Sequence, residues 1–122
     1  MFIPIDIWFR AFLLTLVIEA PIVALLLRDV EPSRVRRLGL VIFANLASHP
    51  VVWFVVSQVF DIGTPAYLVA AEGWAVACEA LFYRAALPGL ALPRAVGISV
   101  VANAASFLVG QVVAALLPGF SL

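Results

Sequence analysis

Four runs of about twenty mostly apolar residues, joined by short links, constrain this chain more than any other feature of it. A helix needs about 20 such residues to cross the hydrocarbon core of a bilayer. The runs fall at about 7–27, 38–60, 66–87 and 95–117. Each is continuous rather than alternating, which disfavours a membrane β-barrel. The expected fold is therefore all-α: a four-helix transmembrane bundle forming a single membrane domain over residues 1–122. The links are marked by charge, proline and glycine. They are Arg28 through Arg37 with Pro32, then Asp61-Ile62-Gly63-Thr64-Pro65, then Pro88-Gly89 with Pro93-Arg94; Pro118-Gly119 ends the last run. No clear internal repeat is expected, although a glutamate in both the first and third runs hints at a two-fold pattern.

Composition excludes the main alternatives. Hydrophobic residues make up 66% of the chain and charged residues 11%, where a soluble domain carries about 25% charged residues. Seven basic residues balance seven acidic ones, so there is no basic face for nucleic acid. The lone cysteine, Cys78, reads as a small packed hydrophobe. The first run carries Asp6, Arg10 and Glu19 and lacks an A-x-A cleavage pattern, so it reads as a retained helix rather than a signal peptide. Arg28, Arg34, Arg36 and Arg37 lie around the first link and Arg84 and Arg94 around the third, whereas the middle link carries Asp61. Positive residues stay inside, so both termini are expected outside, in the inner membrane of a bacterium. The expected partners are the lipid bilayer and further membrane subunits, as a homo-oligomer or a larger complex.

The chemistry lies in the polar residues within the runs. Glu19, His49, Glu72 and Glu79 all fall there, with Asn45, Ser99, Asn103 and Ser106. An ionised side chain at mid-membrane costs roughly 2.5–3.5 kcal/mol, so three unpaired carboxylates would cost roughly 8–10 kcal/mol. Such acids are neutral, paired or bound to a cation. Asn45 and His49 share one helical face, as do Glu72, Glu79 and Tyr83, and as do Ser99, Asn103, Ser106 and Gly110. Each helix thus offers one polar stripe, and the stripes are expected to converge on the bundle axis. Glu19, His49 and Glu79 fall near mid-membrane, with Glu72 further out. They form a candidate cation-binding set, with Asn45, Asn103, Ser106 and Tyr83 as orienting groups. A proton is one candidate cation. A divalent metal on Glu19, His49 and Glu79 is another, since glutamate oxygen and imidazole nitrogen suit Zn, Mn or Fe.

Two other readings stay open. In an intramembrane hydrolase, Glu79 would activate water as a general base, and His49 and an asparagine would stabilise the oxyanion. In a non-catalytic assembly subunit, the polar groups would only fix helix packing.

Short segments carry resemblances. Glu79-Ala80-Leu81-Phe82-Tyr83-Arg84 resembles the E-E-x-x-x-R motif of the CAAX-protease and bacteriocin-processing family, with Ala80 in place of the second glutamate; the resemblance implies intramembrane proteolysis by Glu, His and Asn. Asn103 through Gly110 is similar to a helix of the four-span fluoride channels, without that family's glycine-rich arginine motif. The wider layout is Glu19-Ala20-Pro21, Asn45 through Pro50, Glu79 through Arg84 and Asn103 through Gly110. It resembles small four-span bacterial membrane proteins of uncharacterised function, and this implies the fold without an activity.

Overall fold

The computed structural model describes residues 3–118. Gly119, half of the expected final stop, lies outside the described residues. Four long helices follow one another: α1 (Ile5–Leu26), α2 (Arg34–Val59), α3 (Pro65–Ala86) and α4 (Leu92–Leu116). Among the described residues every regular element is helical. Short links make consecutive helices antiparallel, and α1 also packs against α4, closing the ring α1–α2–α3–α4.

The helix starts explain where expectation and structure differ. α2 begins at Arg34 rather than near Leu38 because Ser33 caps it, its Oγ accepting from the Arg36 N–H at 3.3 Å. Three of the link's arginines therefore lie in the first turns of the helix. Glu31 stiffens the same corner: its Oε1 accepts from the Ser33 N–H at 3.0 Å, and Arg36 pairs with it at 2.9 Å. Thr64 caps α3 by accepting from the Tyr67 N–H at 3.2 Å, and Pro65 occupies the first turn, where its missing N–H leaves no gap. Pro93 plays the same part in α4. The α2–α3 link turns on Gly63, whose φ of 89° is the left-handed conformation required at the third position of a type II turn; the Thr64 N–H closes that turn on the Asp61 carbonyl at 3.1 Å.

The molecule is inverted relative to a soluble bundle. Large apolar side chains such as Val17, Phe43, Val69 and Leu108 are exposed, while Glu19, Asn45, Ser48, Glu79, Ser99 and Asn103 are buried. α1, α2 and α4 are each long and apolar enough to cross a membrane. α3 has the same length as α1 but carries Glu72, Glu79 and Arg84; its acids lie inward, between α2 and α4. This is a helical membrane bundle whose polar groups have been drawn to its centre.

The structure also makes plain a repeat that the sequence only hinted at. The hairpins α1–α2 and α3–α4 correspond at a series of positions, with a two-residue shift at the shorter second link. Glu19-Ala20 matches Glu79-Ala80, Gly39 matches Gly97, and Ala44-Asn45-Leu46-Ala47-Ser48 matches Ala102-Asn103-Ala104-Ala105-Ser106. The links match too. The Leu27 N–H bonds the Val23 carbonyl at 2.9 Å and the Val30 N–H bonds the Leu27 carbonyl at 3.1 Å; in the second hairpin Leu87 bonds Tyr83 and Leu90 bonds Leu87, both at 2.9 Å. Corresponding core positions are fully buried in both halves: Val23 with Tyr83, Val41 with Ser99, Ala44 with Ala102. The chain is a pair of like hairpins with a pseudo-two-fold axis running down the bundle.

Candidate functional site

Glu19 on α1 and Glu79 on α3 are buried at mid-bundle, at 0% and 1% exposure. Each is held by the two neighbouring helices, and the two arrangements mirror one another. Asn45 Nδ2 donates to Glu19 Oε2 at 3.0 Å, and Ser106 Oγ lies 2.8 Å from Glu19 Oε1. Asn103 Nδ2 donates to Glu79 Oε2 at 2.8 Å, and Ser48 Oγ lies 2.8 Å from Glu79 Oε1. Ser99 Oγ adds a longer contact to Glu79, at 3.4 Å. Each glutamate thus takes its asparagine from its own hairpin and its serine from the other. The network laces all four helices together through carboxyl groups.

Both glutamates are contacted by neutral groups only. Among the described residues no arginine or histidine pairs with Glu19 or Glu79.

Above this layer, toward the α2–α3 link, the helices enclose a cavity of about 270 Å³. It sits on the pseudo-two-fold axis, since its walls are built from corresponding residues: Ala11 and Ala71, Thr15 and Ala75, Asn45 and Asn103, Ser48 and Ser106. The symmetry breaks at His49, matched by Phe107, at Trp53, matched by Gln111, and at Glu72, matched by Phe12; all but Phe12 line the cavity. Glu79 forms part of the floor.

Local backbone chemistry opens this half of the molecule. Pro50 has no N–H to give the turn before it, and α2 then widens into a π-helical segment, Val52–Val56. Single π turns of this kind recur at functional sites. Ser57 Oγ donates back to the Trp53 carbonyl within this region, and the Trp74 indole N–H donates across to the Ser48 carbonyl at 3.2 Å. Pro21 likewise leaves the carbonyl one turn earlier in α1 without its usual helical donor.

The structure brings Glu19, Glu79, Asn45, Asn103 and Ser106 together as expected, and it places Glu72 further along the cavity. It does not bring His49 to the carboxyl pair. The imidazole sits in an aromatic box: Phe12 meets it edge-on at 5.5 Å, Trp53 stacks at 6.0 Å and Trp8 lies at 6.3 Å. Its Nδ1 is buried without a hydrogen-bond partner. Trp8 and Trp53 are walls of this box. The reason is depth: His49 is on the same face of α2 as Asn45 but a turn further along, level with the aromatic start of α1. The expected metal set Glu19, His49 and Glu79 does not assemble, and among the described residues no three His, Cys, Asp or Glu side chains could hold a metal ion together. Tyr83 is fully buried one turn below Glu79, but its hydroxyl has no hydrogen-bond partner and does not orient the carboxyl.

Ser48 belongs to this network although spacing alone did not single it out. The signal was present in the matching Ala-Asn-x-Ala-Ser segments of α2 and α4, which pair Ser48 with the recognised Ser106.

The end of the bundle opposite the cavity is tied by arginines. Arg94 grips Asp29 through two bonds of 2.7 Å and also donates to the Leu26 carbonyl at 2.7 Å. Arg37 donates to the Ala24 carbonyl. α1 has no basic residue in its own last turn, so α2 and α4 supply the positive charge that its C-terminal carbonyls attract. Hydrogen bonding from Arg94 holds the Asp29 carboxyl down to about 2.

Compared with protein-family models, curated proteins and solved structures, the chain matches none.

Proposed function

We propose that this protein binds a proton at the Glu19–Glu79 network and moves it across the membrane, with the cavity as the path to the outer side. One observation carries the reading: two buried acids at mid-bundle are met only by neutral Asn and Ser groups. Among the described residues nothing basic pairs with them, so the balancing charge comes from outside. A proton fits where a metal set is not assembled.

The hydroxyl geometry supports this. Ser106 Oγ lies 2.8 Å from Glu19 Oε1 and 3.0 Å from the Asn103 carbonyl oxygen. Ser106 has one proton to give. Both contacts are good hydrogen bonds when Ser106 donates to the carbonyl and a protonated Glu19 donates to Ser106. Asn103 then links the two acids, since its Nδ2 reaches Glu79 and its carbonyl accepts from Ser106. The polar chain Glu19–Ser106–Asn103–Glu79 thus spans from one hairpin to the other, and Glu79 opens on the cavity that Glu72 lines.

Positive charge supports the orientation. Arg28, Arg34, Arg36, Arg37, Arg84 and Arg94 all lie at the closed end, which we place at the cytoplasmic face. The cavity then opens outward.

The test is flux in liposomes. Wild-type protein, reconstituted with an encapsulated pH dye and driven by a potassium diffusion potential, should acidify the lumen. Glu79→Gln keeps the shape and hydrogen-bonding reach of the side chain and should abolish the signal. Acidification by Glu79→Gln at the wild-type rate would overturn the proposal.

A further inference from the structure

The cavity is far larger than a proton needs. At about 270 Å³ it approaches the lower end of pockets that take small organic molecules, about 300 Å³. Its charge has one sign: Glu72 and Glu79 line it, and neither arginine nor lysine does. Its aromatic faces are Trp53, Tyr67 and Phe107, with the His49 ring set beside Trp53. Glu72 is half-buried on this wall, and no described side chain or backbone group forms a hydrogen bond or ion pair with its carboxyl. Glu72 is also where the two-fold pattern breaks, an acid standing where the first hairpin has Phe12. The acid of the second hairpin has no acidic counterpart in the first, and among the described residues its carboxyl has no hydrogen-bond or ion-pair partner.

We propose that this cavity binds a small protonated amine carrying an apolar body. The ammonium N–H groups donate to Glu72, the face of Trp53 or Tyr67 offers cation–π attraction, and the alanine-rich wall of Ala11, Ala71 and Ala75 takes the apolar part. This names the ligand class of the cavity and rests on the cation-binding reading of the site. An anion finds no donor of positive charge there, and a neutral isostere leaves Glu72 without a partner, which a desolvated carboxylate does not tolerate cheaply.

The experiment is calorimetric titration of the purified protein in mild detergent, against empty micelles. The probes are phenethylammonium chloride, its neutral isostere 2-phenylethanol, and phenylacetate. The amine should bind at least about tenfold more tightly than the alcohol, and phenylacetate should not bind. Glu72→Gln should bring the amine down to the affinity of the alcohol and leave the alcohol unchanged, and Glu72→Asp should restore part of the preference. Equal binding of amine and alcohol, or undiminished amine binding by Glu72→Gln, overturns the proposal; unchanged thermal melting of the variant separates loss of binding from loss of fold. Proton flux that depends on Glu79 without any amine binding would retire the amine and keep the proton reading. Amine binding that depends on Glu72, in a protein that moves no protons, supports the amine and retires translocation.

Discussion

Toward the arginine-bearing links, the four helices close on Val23, Leu27, Val41, Tyr83, Leu87 and Leu90, all buried and mutually packed. Toward the opposite end, the same four helices stand apart around a cavity, whose walls mix alanines and polar groups with aromatic faces. The carboxyl layer lies at the boundary. One sequence logic, applied twice along two hairpins, thus gives a sealed end and an open end. The sealed end is held by apolar packing and by arginines capping α1; the open end is propped by Pro50, the π-helical turn and the aromatic box. On the proposed proton reading, the acids stand where the open end meets the sealed one.

The comparison can be broken by substitution. Tyr83→Ala empties the centre of the sealed end and should cost about 3–5 kcal/mol of stability, as removal of a buried aromatic does. Trp53→Ala, at the wall of the open end, should cost about 1 kcal/mol, the scale of a lost aromatic pair. Both are read by denaturation in mixed micelles, and equal costs would erase the distinction between the ends. Adding volume should give the opposite contrast. Ala102→Leu overfills the sealed end and should cost about 1–3 kcal/mol. Ala75→Leu, a cavity residue, should cost less than about 1 kcal/mol while blocking ligand entry; this is read by the same denaturation with the amine titration beside it.

The two-fold pattern makes a subtler prediction. Asn45→Ala and Asn103→Ala each remove one carboxyl donor from corresponding places. Each should cost about 0.6–1.7 kcal/mol, the range of interhelical hydrogen bonds in a bilayer, and the two costs should agree. A large difference would show that the hairpins are not energetic equivalents.

The smallest expected effect lies at the Asp29–Arg94 pair. The carboxyl is held down to about 2 from 3.8. Its contribution is therefore present in full above 3.8 and fades as pH falls through about 2. The pair is solvent-exposed, so Asp29→Asn should leave the melting point at pH 7 nearly unchanged. It should also remove the slight acid sensitivity that the wild-type protein shows between those values.

Hydropathy made the helices legible, because each run is long and its breakers are strong. The helix starts were less legible: Ser33 and Thr64 act through single side-chain bonds, and a window of apolar residues does not see them. Spacing correctly put Asn45, Asn103 and Ser106 with the two central acids, since helical phase is fixed by geometry. It misplaced His49, because phase gives a face while depth is set by how far each helix slides against its neighbours. It overlooked Ser48, because the repeat shifts register at the links, the second being shorter than the first. The aromatic box was illegible for a related reason: Trp8 and Phe12 sit on α1 far from His49 in sequence, and only packing brings them together.

The central claim is that Glu19 and Glu79 take up a proton from outside the protein. Isotope-edited infrared spectroscopy of the protein in liposomes reads this directly through the C=O stretch of a protonated side-chain carboxyl. The account predicts such a band in the wild-type protein, reduced in Glu19→Gln and in Glu79→Gln and responsive to exchange of water for heavy water. A wild-type spectrum without a protonated-carboxyl band, or a band that both variants leave intact, would contradict it.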